Sequence, residues 1–403
     1  MLTNIMQALK KYNKQVWIMY NKDNNDKYFC KYISNNLSTN SICIISQTLS
    51  YLLIHNLDKE NISYSLLNEK NLKILLYENT CELKKNIEDI IACLNFPNDI
   101  SFSYSTMGDS TTDVLTHGEY ISLKKLIKEP YKKYLKNIKI SSAQNLIYEI
   151  ASAKTPKQLE RLNFLAKVTA NILDKSFQKI KVNMTEQDIV KVTQNITCNI
   201  MTKYVNLKQL LAFDVAWDNC PIVLTGENFL KGGHSLPSNK KLNYGDTIYF
   251  DFGLKATFND KEILYTDIQR MGYALKVGQT SPPYSVMKVF ETLKHAIEDG
   301  IDEMKPGKKG FEIDTIVRKK ITSSFVDYNH ATGHSVGLKV HDLGAVISIK
   351  GSKLSNLELV ENGVYTLEPR ISIENGGSIE EMIQVTKYGG KPLCNTQQEI
   401  YLI

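Results

Sequence analysis

The sequence contains no apolar run of the length that a membrane span requires. No segment approaches about eighteen consecutive apolar residues, and the first residues, MLTNIMQALKKYNKQVW, lack an apolar stretch long enough for a signal peptide. We therefore expect a protein without a membrane partner and place it in the cytoplasm.

Paired cysteines are also absent. The seven cysteines are odd in number and include no C-x-x-C pair. This usage is typical of free thiols in a reducing compartment. The cysteines are Cys30, Cys43, Cys81, Cys93, Cys198, Cys220 and Cys394.

Long blocks of one charge sign are missing as well. The 49 basic and 43 acidic residues give a net charge of +6, and the lysines are scattered among asparagines. This dispersed charge is typical of a solvated surface and argues against a nucleic-acid partner. With 403 residues, of which 42% are hydrophobic, the chain is long enough for two or three globular domains.

The texture of the sequence changes near residue 140. Before this point, short apolar runs alternate with Asn-rich turns, which favours strands alternating with helices. Beyond it come helical periodicity, two strands joined by a turn at Asn259 and Asp260, and a strand-like C-terminal part. The pattern predicts an α/β protein with domains over residues 1–140 and 141–403.

Two helix starts are predicted in the second domain. Pro156 follows Thr155 and suits the first turn of a helix. Thr185 is a candidate N-cap, and Asp188 three residues later would complete an imperfect capping box.

Histidine is scarce, yet three of the seven histidines lie in HATGHSVGLKVHDLG, which begins at His330. Its GHSVG fits the G-x-S-x-G of a serine hydrolase, with Ser335 as nucleophile. That chemistry needs an acid and then a histidine downstream, but His341 follows after six residues with no acid between. A zinc peptidase of the H-E-x-x-H type is excluded because Ala331 follows His330. The glycines are expected to leave room for substrate and metal beside the backbone.

Four carboxylates interrupt apolar strands: Asp251 in TIYFDFGLKA, Asp267 in EILYTDIQRMGYAL, Glu368 in VYTLEPRI and Glu380 in GGSIEEMIQV. On paired strands the two aspartates can meet on one face. Each acid alone fits a surface or edge position. Together with His334 they form an oxygen-rich set carrying about four negative charges, which two divalent cations would balance. Such a pair of cations activates water and stabilises a tetrahedral intermediate, and these ligands favour Mn²⁺ over a thiolate-type zinc site.

The ordered segments GGHSLPSNKKLNYGDTIYFDFG, YTDIQRMGYAL, HATGHSVGLKVHD, VYTLEPRI and IEEMIQVT resemble the creatinase/prolidase/methionine aminopeptidase family. Within it they are most similar to the Xaa-Pro peptidase branch, which comprises prolidase and aminopeptidase P. The resemblance runs from about Leu146 to Thr386. It implies a creatinase-like N-terminal α/β domain, a C-terminal pita-bread catalytic domain and hydrolysis of the bond between an N-terminal residue and proline. It also implies a homodimer and two divalent metal ions, with Mn²⁺ favoured and Co²⁺, Zn²⁺ and Fe²⁺ as alternatives.

Position by position, the resemblance assigns a role to each chemically active residue. It places the metal ligands on Asp251, Asp267, His334, Glu368 and Glu380. It places the substrate-side histidines on His234 and His341, and a further active-site histidine on His330. Glu368 would carry the proton to the proline nitrogen. Arg370 is a departure from the family pattern that would reshape the pocket mouth, and its charge makes it a candidate substrate contact.

The sequence departs from the family pattern in three places, and the last two bear on substrate preference. The interval from Asp251 to Asp267 is longer than usual, with TFNDKE as the extra turn. Ser378 stands where the family often has arginine, and Arg370 stands where glycine is common. The extra turn should preserve strand pairing only if the register is kept.

Alternatives within the family also follow from the resemblance. Some members have lost metal ligands and bind proteins without catalysis, so an inactive binding module is the alternative to a peptidase. A methionine aminopeptidase is disfavoured by the N-terminal ~140 residues, which resemble the extra domain of the prolidase branch. Dipeptidase and aminopeptidase P remain open, since Arg370, Lys350 or Lys353 could bind the proline carboxylate of a dipeptide.

Overall fold

A computed structural model describes residues 2–107, 111–232 and 235–403. Their contacts divide the chain into two compact units, Met1–Ala151 and Ser152–Ile403. The domain boundary that the sequence predicts, between residues 140 and 141, stays a prediction.

In the first unit, strands alternate with helices, as the sequence predicts. The strands are β1 (Val16–Asn21), β2 (Ser41–Ser46), β3 (Ser50–His55), β4 (Leu72–Tyr77), β5 (Asp99–Phe102) and β6 (Lys139–Ser142). The helices are α1 (Leu2–Lys11), α2 (Lys27–Tyr32), α3 (Tyr64–Leu67), α4 (Thr80–Cys93), α5 (His117–Lys133) and α6 (Gln144–Ser152), with a 3₁₀ helix at Asn56–Asn61. The strands form one mixed sheet in the order β4-β3-β2-β1-β5-β6. Its apolar face packs on α4 and α5 through residues such as Ile44, Ile87 and Ile127.

The second unit contains four long helices in its described part and a set of short strands. The helices are α7 (Pro156–Phe177), α8 (Glu186–Asn206), α9 (Tyr284–Glu303) and α10 (Gly310–Thr322), with 3₁₀ helices at Gly226–Lys231 and Leu354–Asn356. The first strands are β7 (Leu210–Val215), β8 (Ile222–Thr225), β9 (Thr247–Phe252), β10 (Leu254–Phe258), β11 (Ile263–Tyr265) and β12 (Ile268–Tyr273). The later strands are β13 (Val364–Leu367), β14 (Arg370–Ile371), β15 (Gly377–Ser378), β16 (Glu381–Thr386), β17 (Gly389–Pro392) and β18 (Tyr401–Leu402).

The two predicted strands around Asn259 and Asp260 are each broken in the middle. β9 lies between β8 and β12, whereas β10 lies between β7 and β11 in a different sheet. The chain changes sheet at Gly253, where a Cβ would lie 2.2 Å from the carbonyl oxygen of Thr266. Only glycine permits this approach of two backbones. The predicted turn at Asn259 and Asp260 joins β10 to β11, and the pairing stays in register.

Local sequence signals explain the helices that support these sheets. The predicted helix starts are confirmed: Pro156 opens α7, and the Thr185 hydroxyl accepts the Asp188 amide hydrogen bond while the Asp188 carboxylate accepts that of Thr185. α7 and α8 bury residues such as Leu165 and Ile189 against β9 and β12, and each buried aliphatic side chain contributes about 1.5–3 kcal/mol. α9 and α10 pack on β13 and β16 in the same way.

The cysteines and the hydrophobicity of the helices bear on two expectations from the sequence. The seven cysteines all lie within the described residues and are free thiols. Within the described ranges, no helix combines the length and the hydrophobicity needed to cross a bilayer.

Candidate metal centre

Two buried aspartates lie on neighbouring strands. Asp251 is in β9, and Asp267 immediately precedes β12. Asp251 pairs with Gln269 across the antiparallel ladder, so Asp267 stands diagonally opposite, two residues away. The two aspartates are only 7% and 6% exposed. The longer turn therefore leaves the two acids side by side.

The segment that carries His334 is held against β13. The amide of Thr366 donates to the carbonyl oxygen of His334 at 2.8 Å, and the amide of His334 donates to the Thr366 hydroxyl at 3.1 Å. Gly333 permits this contact, because a Cβ there would lie 2.0 Å from the Thr366 carbonyl oxygen. The space that we expected beside this glycine for a ligand is filled by the backbone of the chain itself.

One hydrogen bond sets the tautomer of His334. Its Nδ1 lies 3.1 Å from the carbonyl oxygen of Ser335, and since a carbonyl can only accept, Nδ1 carries the proton and Nε2 keeps a lone pair. Nε2 lies 3.7 Å from Asp267 Oδ2 and 3.4 Å from Glu368 Oε1. A lone pair this close to two carboxylate oxygens repels them unless a cation lies between.

The two glutamates approach the same point from β13 and β16. The amide of Glu380 donates to the carbonyl oxygen of Gln269 at 3.1 Å, which ties this glutamate to β12. Glu380 is fully buried. Glu368 is oriented by two donors: the Gln269 amide nitrogen at 3.3 Å from Oε2 and the Thr366 hydroxyl at 3.4 Å from Oε1.

The donor set fits a divalent metal ion. Asp267, His334 and Glu380 offer ligand atoms that all lie within 4.8 Å of one another. Oδ1 of Asp251, Oδ1 of Asp267 and both oxygens of Glu380 accept no hydrogen bond from the described residues. Buried carboxylates without donors are costly unless they are paired with a cation or bound to a metal. Carboxylates combined with one neutral imidazole are ligands that hard divalent cations accept.

Burial dominates the electrostatics of these groups. Burial, followed mainly by mutual charge repulsion, raises the pKa of three carboxyl groups: to about 8 at Glu368 and well above the usual range at Asp267 and Glu380. Burial also raises the pKa of Asp251 to about 7, against the hydrogen bond from Tyr249. Burial, and then the charge of His341, lowers the pKa of His334 to about 3, so this imidazole is neutral. Neutral imidazole is the form that binds metals.

The other histidines assigned by the resemblance have different surroundings. The solvent-exposed ring of His341 lies 4.3 Å from that of His334 in an edge-on arrangement. His330 donates from Nδ1 to the next backbone carbonyl oxygen at 2.7 Å, and its ring lies 4.8 Å from that of Tyr328. His234 lies outside the described residues.

Arg370 is buried beside the acids rather than exposed at a pocket mouth, with 6% of its surface accessible. Its guanidinium carbon lies 3.6 Å from the ring centre of Phe229 and 5.3 Å from that of Tyr249. Nη2 donates to the Phe229 carbonyl oxygen, and Nε donates to the Ser372 hydroxyl at 3.1 Å. Tyr249 in turn donates to Asp251 Oδ2 at 3.0 Å. The role of Arg370 as a substrate contact stays a prediction.

Three residues support the ligands: Tyr249 and Gln269, which sequence reasoning missed, and Ser378, which it noted only as the loss of an arginine. The Ser378 hydroxyl lies 2.8 Å from Gln269 Oε1, and Gln269 holds Glu368. A signal for two of them was present, because Tyr249 is two residues before Asp251 and Gln269 is two residues after Asp267. Alternate residues of a strand share one face, so both side chains were bound to point toward the ligands.

Ser335 is buried, and its hydroxyl donates to the carbonyl oxygen of Leu343 at 3.0 Å. Gly344 lies against it, since a Cβ there would be 2.7 Å from the Ser335 Cβ. These contacts agree with the exclusion of Ser335 as a nucleophile.

Comparison with known proteins identifies the family. Residues 160–387, more than half of the chain, match the sequence profile of metallopeptidase family M24. A relative from Mycoplasma genitalium is 31% identical over 243 residues, which are 59% of this chain and 61% of that protein. The Xaa-Pro dipeptidase of Pyrococcus horikoshii is 32% identical over 171 residues, covering 41% of this chain and 44% of that protein. The matches thus span less than two thirds of these relatives.

The fold extends the likeness to the whole chain. The crystal structure of an X-Pro aminopeptidase from Thermotoga maritima superimposes with a TM-score of 0.60 at 20% identity, covering 98% of this chain and 100% of that one. This confirms the predicted α/β fold with a C-terminal unit of the pita-bread type. The family match confirms the resemblance that the ordered motifs indicated. The chain belongs to metallopeptidase family M24.

Proposed function

We propose that this protein is a metal-dependent peptidase that hydrolyses the bond between an N-terminal residue and proline, in dipeptides or in longer peptides. The observation that carries the proposal is the buried set of four carboxylates and one neutral imidazole, with carboxylate oxygens that the described residues leave without donors. Family membership and the Xaa-Pro peptidases among the relatives support it. We propose two divalent ions as cofactors, Mn²⁺ first, and a homodimeric enzyme.

In the proposed reaction, water attacks the carbonyl carbon of the residue before proline, and the carbon–nitrogen bond to proline breaks. Divalent ions bound by the five ligands would polarise that carbonyl and activate the water. Glu368 would accept the proton of the attacking water and deliver it to the proline nitrogen. Gln269 and Thr366 each hold one carboxylate oxygen of Glu368, which orients it for both transfers.

The histidines would act on the substrate. We propose that His341, whose exposed ring lies 4.3 Å from that of His334, donates a hydrogen bond to a substrate carbonyl oxygen as negative charge develops. We propose the same role for His234 and a supporting role for His330.

Arg370 is the proposed contact for a substrate carboxylate. No described residue accepts a hydrogen bond from its Nη1, while Nη2 and Nε are engaged. If Nη1 binds the carboxylate of a dipeptide, Arg370→Met should raise KM for Gly-Pro far more than KM for a longer Xaa-Pro-Xaa peptide. Equal changes for both peptides would remove Arg370 from substrate recognition.

The decisive experiment measures metal content and hydrolysis together. The protein loaded with Mn²⁺ should cleave Gly-Pro, Met-Pro or a longer Xaa-Pro-Xaa peptide. Asp267→Asn should lose most of its bound Mn²⁺, and its activity should fall at least about 100-fold. Mutation of a residue that merely supports a metal ligand lowers metal affinity or activity by about 10–100-fold, and loss of a ligand should cost at least as much. Asp246→Asn is a matched control, since Asp246 accepts the Asn243 amide in a turn before β9.

Two outcomes would overturn the proposal. Unchanged Mn²⁺ content and activity in Asp267→Asn would show that the acid cluster is not the centre. A wild-type protein that binds no metal and cleaves none of these peptides would favour the inactive binding module.

A further inference from the structure

A buried carboxylate outside the metal centre holds both ends of one segment. Glu186 is the first residue of α8 and is fully buried. Its Oε1 accepts hydrogen bonds from the amide and hydroxyl of Thr225 at 2.8 and 3.2 Å. Its Oε2 accepts from the amide and hydroxyl of Ser238 at 2.8 and 2.7 Å. Asn228 donates to both oxygens, at 3.0 and 3.1 Å, so all of these donors belong to the stretch 225–238.

The backbone around Glu186 adds to this attachment. The amide of Glu186 donates to the carbonyl oxygen of Lys240 at 3.0 Å, and Leu242 exchanges further backbone bonds with residues 183 and 184. The returning end of the segment is thus joined to the start of α8. The outgoing end, at Thr225, is hydrogen-bonded to the same helix through the Glu186 side chain.

The 225–238 segment also contacts the metal centre. Phe229, in the 3₁₀ helix Gly226–Lys231, packs on Tyr249 with ring centres 5.5 Å apart. Its carbonyl oxygen accepts from Arg370, and Tyr249 donates to the ligand Asp251. A shift of this segment would therefore change the surroundings of Asp251.

A carboxylate is required at position 186 because six donor contacts converge on two oxygens. Hydrogen bonds to an ionised acceptor are roughly twice as strong as those between neutral groups. In glutamine, one oxygen becomes an NH₂ group, which would face donors at one end of the segment and lose those bonds. Glutamate therefore suits a position whose side chain binds both ends of the segment, at Thr225 and at Ser238.

We propose that Glu186 is a positioning residue that holds residues 225–232 and 235–238, and through Phe229 the contacts to Tyr249 and Arg370 beside the metal centre. The proposal rests on the proposed function, because by sequence this segment contains His234, which we assign to substrate binding. Glu186 acts through the segment and does not touch the reacting atoms.

Hydrogen–deuterium exchange of the full-length, Mn²⁺-loaded protein tests this attachment without measuring activity. In Glu186→Gln, whichever of the Thr225 and Ser238 amides faces the new NH₂ group should exchange about tenfold faster, since loss of a hydrogen bond to a charged group changes the opening equilibrium by about this factor. Asp188→Asn is the matched control, because Asp188 lies in the same first turn of α8 and accepts the Thr185 amide and hydroxyl. The control should leave exchange at Thr225 and Ser238 unchanged.

Kinetics separate positioning from general stability. In Glu186→Gln, substrate binding must reorder a loosened segment, and the free energy of this ordering raises KM. KM for the cleaved Xaa-Pro peptide should therefore rise about tenfold. The Mn²⁺ content should be unchanged, and kcat should stay within about twofold of the wild-type value. Unchanged exchange at Thr225 and Ser238 would overturn the proposal. Uniformly faster exchange through residues 152–403 together with loss of Mn²⁺ would also overturn it, as a purely structural role.

Two further results keep the test decisive. If Glu186→Gln does not fold, Ser238→Ala removes one donor to Glu186. The backbone amide at position 238 should then exchange faster, and that of Thr225 should exchange at the wild-type rate. Unchanged exchange at position 238 would refute the proposal. If the wild-type protein cleaves no peptide, the proposed function fails, while the exchange data still decide whether Glu186 holds the segment.

Discussion

Replacement of Lys154 by methionine would remove the cation of a buried ion pair next to the metal centre. Lys154 Nζ lies 3.1 Å from Asp342 Oδ2, and the two side chains are 1% and 8% exposed. Asp342 immediately follows His341 and accepts the amides of Leu338 and Leu343 at 2.8 Å each. The ion pair therefore fastens the turn that carries His341.

The expected loss of stability depends on the hydrogen bonds that Asp342 retains in the variant. Removing one partner of a buried pair costs about 3–5 kcal/mol, because the remaining charge has no counterion. The two backbone donors stay, which places the loss at the lower end, at about 3 kcal/mol. For a unit of this size, that is a fall in Tm of about 6–12 °C. Methionine keeps an apolar stem beside Gly337, where a Cβ would lie 2.6 Å from the Lys154 Cε.

Lys157→Met is the matched control, three residues further along the chain. Lys157 lies 2.7 Å from Asp260, but the side chains are 61% and 42% exposed, and Asp260 keeps its bond to Arg161 at 3.0 Å. An exposed pair of this kind contributes at most about 1 kcal/mol. Guanidinium unfolding followed by fluorescence and calorimetry would give both losses. A difference of less than about 1 kcal/mol between the two variants would refute the account of the buried pair.

Three other predictions follow from the packing and titration of single groups. Gly333→Ala should reduce the Mn²⁺ content and lower the free energy of unfolding by about 3 kcal/mol or more, because its Cβ would lie 2.0 Å from the Thr366 carbonyl oxygen. Gly118→Ala is the control, because a Cβ there meets no atom within 4 Å. Equal stability of the two variants would contradict the close contact at Gly333. Burial raises the pKa of Asp26 from 3.8 to about 6, so the folded state holds this proton more tightly and the free energy of unfolding should fall by about 2 kcal/mol as pH rises from 4 to 7. Asp26→Asn keeps the helix-capping acceptor and should flatten this fall, whereas parallel profiles of Tm against pH would argue against it. A thiol reagent should modify the exposed cysteines quickly and the buried ones only after unfolding, and equal rates measured by mass spectrometry would conflict with the burial. The exposed cysteines are Cys81, Cys93 and Cys198, and the buried ones are Cys43, Cys220 and Cys394.

Features that depend on neighbours in the chain could be predicted from the sequence. The starts of α7 and α8 were readable because N-caps and first-turn prolines act within four residues. The turn at Asn259 and Asp260 was readable for the same reason. The break at Gly253 was not, because it arises from the approach of the Thr266 carbonyl oxygen across the sheet.

The candidate site also combines residues that the sequence predicts with contacts that only the folded chain creates. The acids within apolar strands and the clustered histidines were visible as anomalies of residue type, and their order carried the family resemblance. The alternation of side chains along a strand already places Tyr249 and Gln269 on the faces of Asp251 and Asp267, but the contact of Gln269 with Glu368 joins positions 99 residues apart in the sequence. Arg370 was expected at the mouth of a pocket, but its burial against Phe229 depends on a contact over 141 residues of sequence.

By itself, the sequence determined the alternation of helices and strands, the free thiols, the family and the chemical character of the centre, because these depend on residue types and local spacing. Only the tertiary structure decided which atoms meet: the tautomer of His334, the diagonal placement of the two aspartates and the burial of Arg370. Glu186 shows the difference most clearly. In sequence it is an ordinary acid in the first turn of a helix, a position that the helix dipole favours, and only the folded chain brings Thr225, Asn228 and Ser238 onto its two oxygens.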